Sequence, residues 1–303
     1  MTTSRWLLVA AVGTTLVLWA SAFVAIRHLA GVFSPGALSL GRLVVGSACL
    51  APLALSRRVV RPTRRELAAI VAIGALWFGV YNIALNEGEH RVDAGTAVML
   101  IQVSPILIAV LATLFLGEPF TRGLAAGLAL AFAGVALIAF TTTQEQHSDT
   151  LGVALCLLSA LVYSVSLILQ KPVVARIPAA QVTWLACTIG AVLCLPFVGQ
   201  LVRETGQASA ASIWWLAYLG VFPTAIAFTT YAYALRHMDA GRLGVTTYLV
   251  PPITILLSAL LLAETPPSLA YAGGALALVG VAVARRRQQR PAPAAQPSPA
   301  TSP

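Results

Sequence analysis

Long apolar windows run end to end along this chain, and they constrain the fold more than any motif does. In hydrocarbon every backbone N–H and C=O must be satisfied within its own segment, so a spanning helix needs about 20 mostly apolar residues. Ten windows meet that requirement, at 6–27, 36–55, 66–86, 93–116, 121–141, 151–170, 180–200, 213–235, 242–262 and 268–284. Charged or turn-forming stretches such as "RRVVRPTRRE", "GEPFTRG" and "TTTQEQHSDT" separate them. No soluble domain fits between the windows. Only 10% of the residues are charged, against about 25% in an ordinary soluble domain. The expected fold class is therefore an all-α polytopic membrane protein with ten transmembrane helices.

The net charge of +9 points to membrane topology and not to nucleic acid, because its basic residues flank apolar spans. With ten spans and a cytoplasmic N-terminus, fifteen of the 19 Lys and Arg residues fall on the cytoplasmic side. They include Arg57, Arg58, Arg61, Arg64 and Arg65, and the run Arg285 to Arg287. Arg27, Arg91 and Arg203 fall outside, and Arg42 lies within the second window. That bias predicts both termini inside. The first window is too long for a signal-peptide core of about 7–15 residues. The four cysteines lie in spans and suggest no disulfide framework. His28, His90, His147 and His237 lie in separate loops without ligand spacing, so no metal and no cofactor is expected.

"HRVDAGTAVM" at 90–99 has a counterpart in "RHMDAGRLGV" at 236–245. Shifting residues 74–136 forward by 146 gives 17 identities in 63 positions. Among them are Gly74/Gly220, Asp93/Asp239, Gly95/Gly241, Pro105/Pro251, Glu118/Glu264, Gly127/Gly273 and Gly134/Gly280. Charges, prolines and glycines in one register mark a tandem repeat. An odd number of spans per copy inverts the second copy in the membrane, an arrangement that places substrate near the midplane. The expected organisation is a cytoplasmic N-terminus (1–5), a first five-helix repeat (6–141), an external loop (142–150), a second repeat (151–284) and a disordered basic, Pro-rich cytoplasmic tail (285–303). Asp93 and Asp239 read as helix N-caps, and Glu118 and Glu264 as anchoring or loop hydrogen-bonding groups at span ends.

These features resemble the EamA-type transporters of the drug/metabolite transporter superfamily. The resemblance covers almost the whole chain. It rests on "WASAF" from Trp19, "LSLGR" ending at Arg42, "VDAGTAVMLIQVSPILIAVLATLFLGE" at 92–118 and "DAGRLGVTTYLVPPITILLSALLLAE" at 239–264. It implies a multi-pass carrier of the bacterial plasma membrane, often an exporter of amino acids or other small metabolites, with a cavity between the two halves. Related small multidrug transporters carry an embedded acid in the first span, where this chain has Trp19, Ala20 and Ser21.

Polar side chains within spans are costly unless they face a cavity or a partner helix. Asn82 and Asn86 share a helix face beside Tyr81. Repeat symmetry sets Phe228 opposite Asn82, with Thr229, Thr230, Tyr231 and Tyr233 nearby. Gln102 and Tyr248 each precede a proline, Pro105 and Pro251, which strips the carbonyls of Ile101 and Thr247 of their usual donor and leaves a ligand site or a kink. Trp19 and Tyr163 align at an offset of 144. The substrate-binding candidates are thus Trp19, Tyr81, Asn82, Asn86, Gln102, Tyr163, Thr229, Tyr233 and Tyr248, with Pro105 and Pro251 as gating positions. All ten acids lie in loops or near span ends, and Glu87 is the candidate for ion coupling. Arg42 either snorkels outward or meets a substrate carboxylate. No H-E-x-x-H motif or buried acid pair argues for an enzyme. The expected function is export or exchange of a small neutral or zwitterionic metabolite. The alternative is a proton-coupled drug or cation exporter. The expected partners are a small-molecule substrate and the lipid bilayer, with the chain a monomer or homodimer.

Overall fold

The computed structural model describes residues 5–29, 31–56, 59–89, 91, 100–142, 149–262 and 268–285. His90, Asp93, Gly95, His147, Glu264 and the tail from 286 lie outside the described residues. Those that are described are almost wholly helical and include no strand. The helices are α1 (Arg5–Leu29), α2 (Pro35–Leu55), α3 (Arg64–Ile73), α4 (Tyr81–Glu89), α5 (Ser104–Leu116), α6 (Arg122–Thr142), α7 (Thr150–Arg176) and α8 (Ala179–Leu193). They continue as α9 (Val198–Gln207), α10 (Ala210–Leu219), α11 (Ala227–His237), α12 (Ala240–Thr246), α13 (Val250–Leu262) and α14 (Ser268–Arg285).

Two pairs are single rods joined by a wider turn. A π-helical segment, Gly74–Val80, links α3 to α4, and a second, Gly220–Ile226, links α10 to α11. A short 3-10 stretch, Thr247–Leu249, links α12 to α13 beside Pro251. The two π segments stand 146 residues apart. Six helices among the described residues are long and apolar enough to cross a membrane, or seven if the bent pair Ala179–Leu193 and Leu195–Gln207 is one span. That pair bends by 54°, where a straight window over 180–200 is expected. Pro196 supplies the reason, since it removes an N–H and disfavours helical backbone at Leu195.

The ends are set by local chemistry. Thr63 and Glu66 form a capping box at the start of α3, as the spacing Thr-x-x-Glu predicts. Asp149 accepts from the Leu151 amide at the start of α7, at 3.0 Å. Large apolar side chains such as Trp6, Leu114, Phe115, Trp214 and Leu260 remain exposed on the outside of the bundle, as a lipid-facing surface requires.

Glycines permit the tight crossings inside. A Cβ on Gly74 would stand 2.7 Å from Ile189 on α8, and one on Gly220 would stand 2.5 Å from Val45 on α2. Along α6 and α14, Gly127, Ala131 and Gly134 interlock with Gly273, Ala277, Gly280 and Ala284, leaving no room for a larger side chain. Gly123, four residues before Gly127, is different: a Cβ there would stand 3.7 Å from its nearest neighbour, so it is not a tight contact.

Candidate functional site

At the centre of the bundle α1, α7 and the two π-interrupted rods bring seven aromatic side chains together. Trp19 of α1 lies 4.8 Å from Tyr231, 5.5 Å from Phe228, 6.4 Å from Trp77 and 6.5 Å from Tyr163. Trp77 is 4.9 Å from Tyr163 and 5.0 Å from Phe228, and Phe78 is 4.7 Å from Phe228. Tyr81 closes one side, 6.2 Å from Tyr163. Most pairs are tilted or edge-on, the arrangement that ring quadrupoles favour. The hydroxyls of Tyr163 and Tyr231 share a 2.8 Å hydrogen bond in the buried interior. Trp19 and Tyr81 stay half-buried, while Trp77, Phe78 and Tyr231 are buried almost completely.

The π turns position this cluster. A π turn shifts the hydrogen bonds from i−4 to i−5, and a side chain at its edge can take up a carbonyl the shift leaves over. Asn82 does so on the first rod, its Nδ2 donating to the carbonyls of Phe78 at 2.9 Å and Trp77 at 3.3 Å. Thr224 does the same on the second, donating to the Leu219 carbonyl at 2.8 Å. Arg42 is half-buried in α2 and its Nε donates to Thr224 Oγ1 at 3.1 Å. Arg42 also interacts electrostatically with Tyr81. It has no carboxylate partner among the described residues. A cation in an apolar bundle, bonded to a hydroxyl and bordering an aromatic cluster, suits a solute that carries a negative group.

Three sequence candidates meet here: Trp19, Tyr81 and Tyr163. Trp77, Phe78 and Phe228 join them without having been candidates, and Tyr231, named only as a polar neighbour, sits at the centre. Spacing carries a signal for them, since Trp77 and Tyr81, like Phe228 and Tyr231, are three or four residues apart on one helix face. Asn82 borders the cluster through its bonds to the Trp77 and Phe78 carbonyls, and the other candidates lie elsewhere. Asn86 donates to Ser39 Oγ on α2 at 3.2 Å. Thr229 donates to the Ala225 carbonyl of its own helix, and Tyr233 stacks with His237 at 4.3 Å. Gln102 donates to the Thr247 carbonyl at 3.4 Å, and Ser104 donates to the Ile101 carbonyl. Both carbonyls beside Pro105 and Pro251 are therefore occupied, and what the prolines leave is the interruption of the helix. Tyr248 packs against Phe132 in a separate core at α5, α6, α12 and α14.

The ionic candidates are peripheral. Glu87 pairs with Arg91 at 2.9 Å, and Arg91 reaches Asp149 at 3.0 Å, all three partly exposed. The Asp149 carboxyl is held below the usual carboxylate range, first by the Leu151 amide and then by Arg91. Asp239, expected to cap a helix, occupies the N-cap position of α12, but its side chain makes no cap bond. Glu118 takes those amides instead, accepting from Ala240 at 2.8 Å and Gly241 at 3.1 Å. A longer side chain from another helix reaches the free N–H groups, and the local carboxylate turns 3.5 Å from Arg242.

Comparison with known proteins agrees with this architecture. The model of the EamA-like transporter family matches residues 5–140 and again 150–286. A relative in Streptantibioticus cattleyicolor, named a probable terminal-alkyne amino-acid exporter, is 37% identical over 273 residues, covering 90% of this chain and 91% of its own. YdfC of Bacillus subtilis, an uncharacterized transporter, is 33% identical and covers 87% of this chain and 86% of its own. A protein crystal structure shares the fold with a TM-score of 0.76 and 21% identity, over 93% of this chain and 98% of that one. The chain belongs to the EamA-like transporter family, and it is a multi-pass membrane transporter, not an enzyme.

Proposed function

We propose that the protein is a secondary carrier of the bacterial plasma membrane that exports a small zwitterionic, partly apolar metabolite of the amino-acid type. In this reading ten spans form two inverted five-helix repeats, both termini are cytoplasmic, and the halves alternate access to a central site. The carrying observation is the aromatic cluster with Arg42 at its border. Its members come from α1 and the first π-interrupted rod, and from α7 and the second, which are corresponding elements of the two repeats. Packing of the elements follows the same exchange: α4 beside α7 matches α11 beside α1, and α8 on the first π segment matches α2 on the second. Such pairing supports the pseudo-two-fold arrangement in which substrate sites form at the repeat interface. The relative in Streptantibioticus cattleyicolor, named a probable terminal-alkyne amino-acid exporter, supports the substrate class.

Within the site, Trp19, Tyr81 and Tyr163 face the apolar part of the solute, and Arg42 takes its carboxylate by a charge-assisted bond. The test is exchange of labelled amino acids into proteoliposomes, run beside their decarboxylated amines. Carboxylate-bearing solutes are expected to exchange, and Arg42→Gln is expected to remove that preference. Exchange of cationic dyes and amines alone, unaffected at Arg42, would replace this reading with a cation exporter.

A further inference from the structure

At the end of the bundle that carries Arg61, Glu66 and Arg176, four helices meet around one ion pair. Gly117, with φ of 66°, ends α5 in the left-handed conformation that glycine favours. The next residue, Glu118, accepts from the first amides of α12. Lys171 of α7 lies 3.9 Å from the same carboxylate and donates to the carbonyls of Leu235, at 2.7 Å, and Met238. Those carbonyls end α11. The anion therefore sits at a positive helix start and the cation at a negative helix end, on either side of the short link between α11 and α12. Glu118 belongs to the first half of the chain, and its partners belong to the second.

The arrangement contains a redundancy. Asp239 already stands at the N-cap of α12 with extended backbone, φ −60° and ψ 140°, yet its carboxylate bonds to none of the amides. Two carboxylates are available for one helix start, and the one in use comes from across the molecule. We propose that this is a latch: Glu118 holds α12 while this end of the bundle is closed, and Asp239 takes over the amides when α5 and α12 part. A helix start without a partner would oppose that separation. The local substitute makes both states affordable, and a gate needs two states of similar energy. Lys171 keeps its carbonyl partners in either state and favours the closed one through Glu118. This inference rests on the carrier reading.

Its test needs no substrate, so failure of the amino-acid assignment leaves it standing. In a background without Cys49, Cys156, Cys187 and Cys194, Thr229→Cys on α11 is labelled in proteoliposomes with a membrane-impermeant maleimide applied at the latch end. Glu118→Gln is expected to raise labelling about threefold or more, and Asp239→Ala to lower it by a similar factor, as opposite shifts of one equilibrium. Equal labelling in the three proteins overturns the latch. A second measurement leaves Glu118 untouched. A Cβ at Gly241 would stand 3.5 Å from that of Ala109 on α5, within disulfide reach. Asp239→Ala is expected to speed oxidative cross-linking of Ala109→Cys with Gly241→Cys, and an unchanged rate contradicts the proposal.

Discussion

Two buried polar side chains show how differently a single group weighs in this bundle. Asn82 holds the first π turn through two hydrogen bonds to its own helix, and Tyr248 buries a hydroxyl that has no partner among the described residues. Removing a donor from a buried carbonyl costs about 1–3 kcal/mol, whereas removing a group that was never paired costs nothing. Asn82→Leu should therefore lower the detergent-solubilised protein's stability by about 1–3 kcal/mol, measured by thermal unfolding. Tyr248→Phe should leave it unchanged or raise it slightly. A larger loss in the tyrosine variant would show that its hydroxyl has a partner after all. Sequence reading placed both residues in the substrate site because it could see polarity and depth, but not the acceptors. It named Trp19 and Tyr163, which the structure brings into the aromatic cluster, because a repeat offset singled them out. Trp77, Phe78 and Phe228 stayed hidden because an aromatic ring in an apolar helix is as ordinary as leucine until its neighbours are known.

At the scale of elements, the α6–α14 contact depends on side chains too small to keep the backbones apart. A Cβ at Gly134 would stand 2.6 Å from Ala277 N and Gly273 O, so Gly134→Val must separate the two helices. Overpacking of this kind costs about 1–3 kcal/mol, visible as a lower unfolding temperature. The same substitution at Gly123, which faces more open space, should change little. The start of α7 gives a pH-dependent counterpart. Asp149 has its carboxyl pKa depressed, so its contribution is complete above the ordinary aspartate value of about 3.9 and is lost as pH falls through the depressed folded value. Asp149→Ala should unfold earlier than the native chain at neutral pH, with the difference shrinking below about pH 4. A difference that stays constant as pH falls below about 4 would assign the effect to something other than charge. The helices themselves were legible from apolar windows. The π turns were not, although Gly74 and Gly220 marked their positions, because only the packed neighbour explains why a glycine and a wide turn are needed there.

For the whole molecule, the decisive quantity is the number of crossings between one repeat and the next. Six or seven described helices satisfy length and apolarity as they stand, while α5, α6 and α14 have apolar segments of 10–17 residues. As helices α6 has 21 residues and α14 has 18, about 31 and 27 Å at 1.5 Å per residue, close to a hydrocarbon core of about 30 Å, and α5 has 13 among the described residues. The ten-span reading also draws on charge: with an odd number of crossings in each repeat, Arg61 and Asp149 face opposite sides, and the basic residues gather on one of them. Single cysteines at these two exposed positions, in a cysteine-free background, read that parity directly. Arg61→Cys should react with an impermeant maleimide only in inside-out vesicles, and Asp149→Cys only in right-side-out ones. Labelling of both from one side would mean an even number of crossings between them. The repeats would then run parallel, and exchange of inner for outer contacts between matched elements would lose its structural basis.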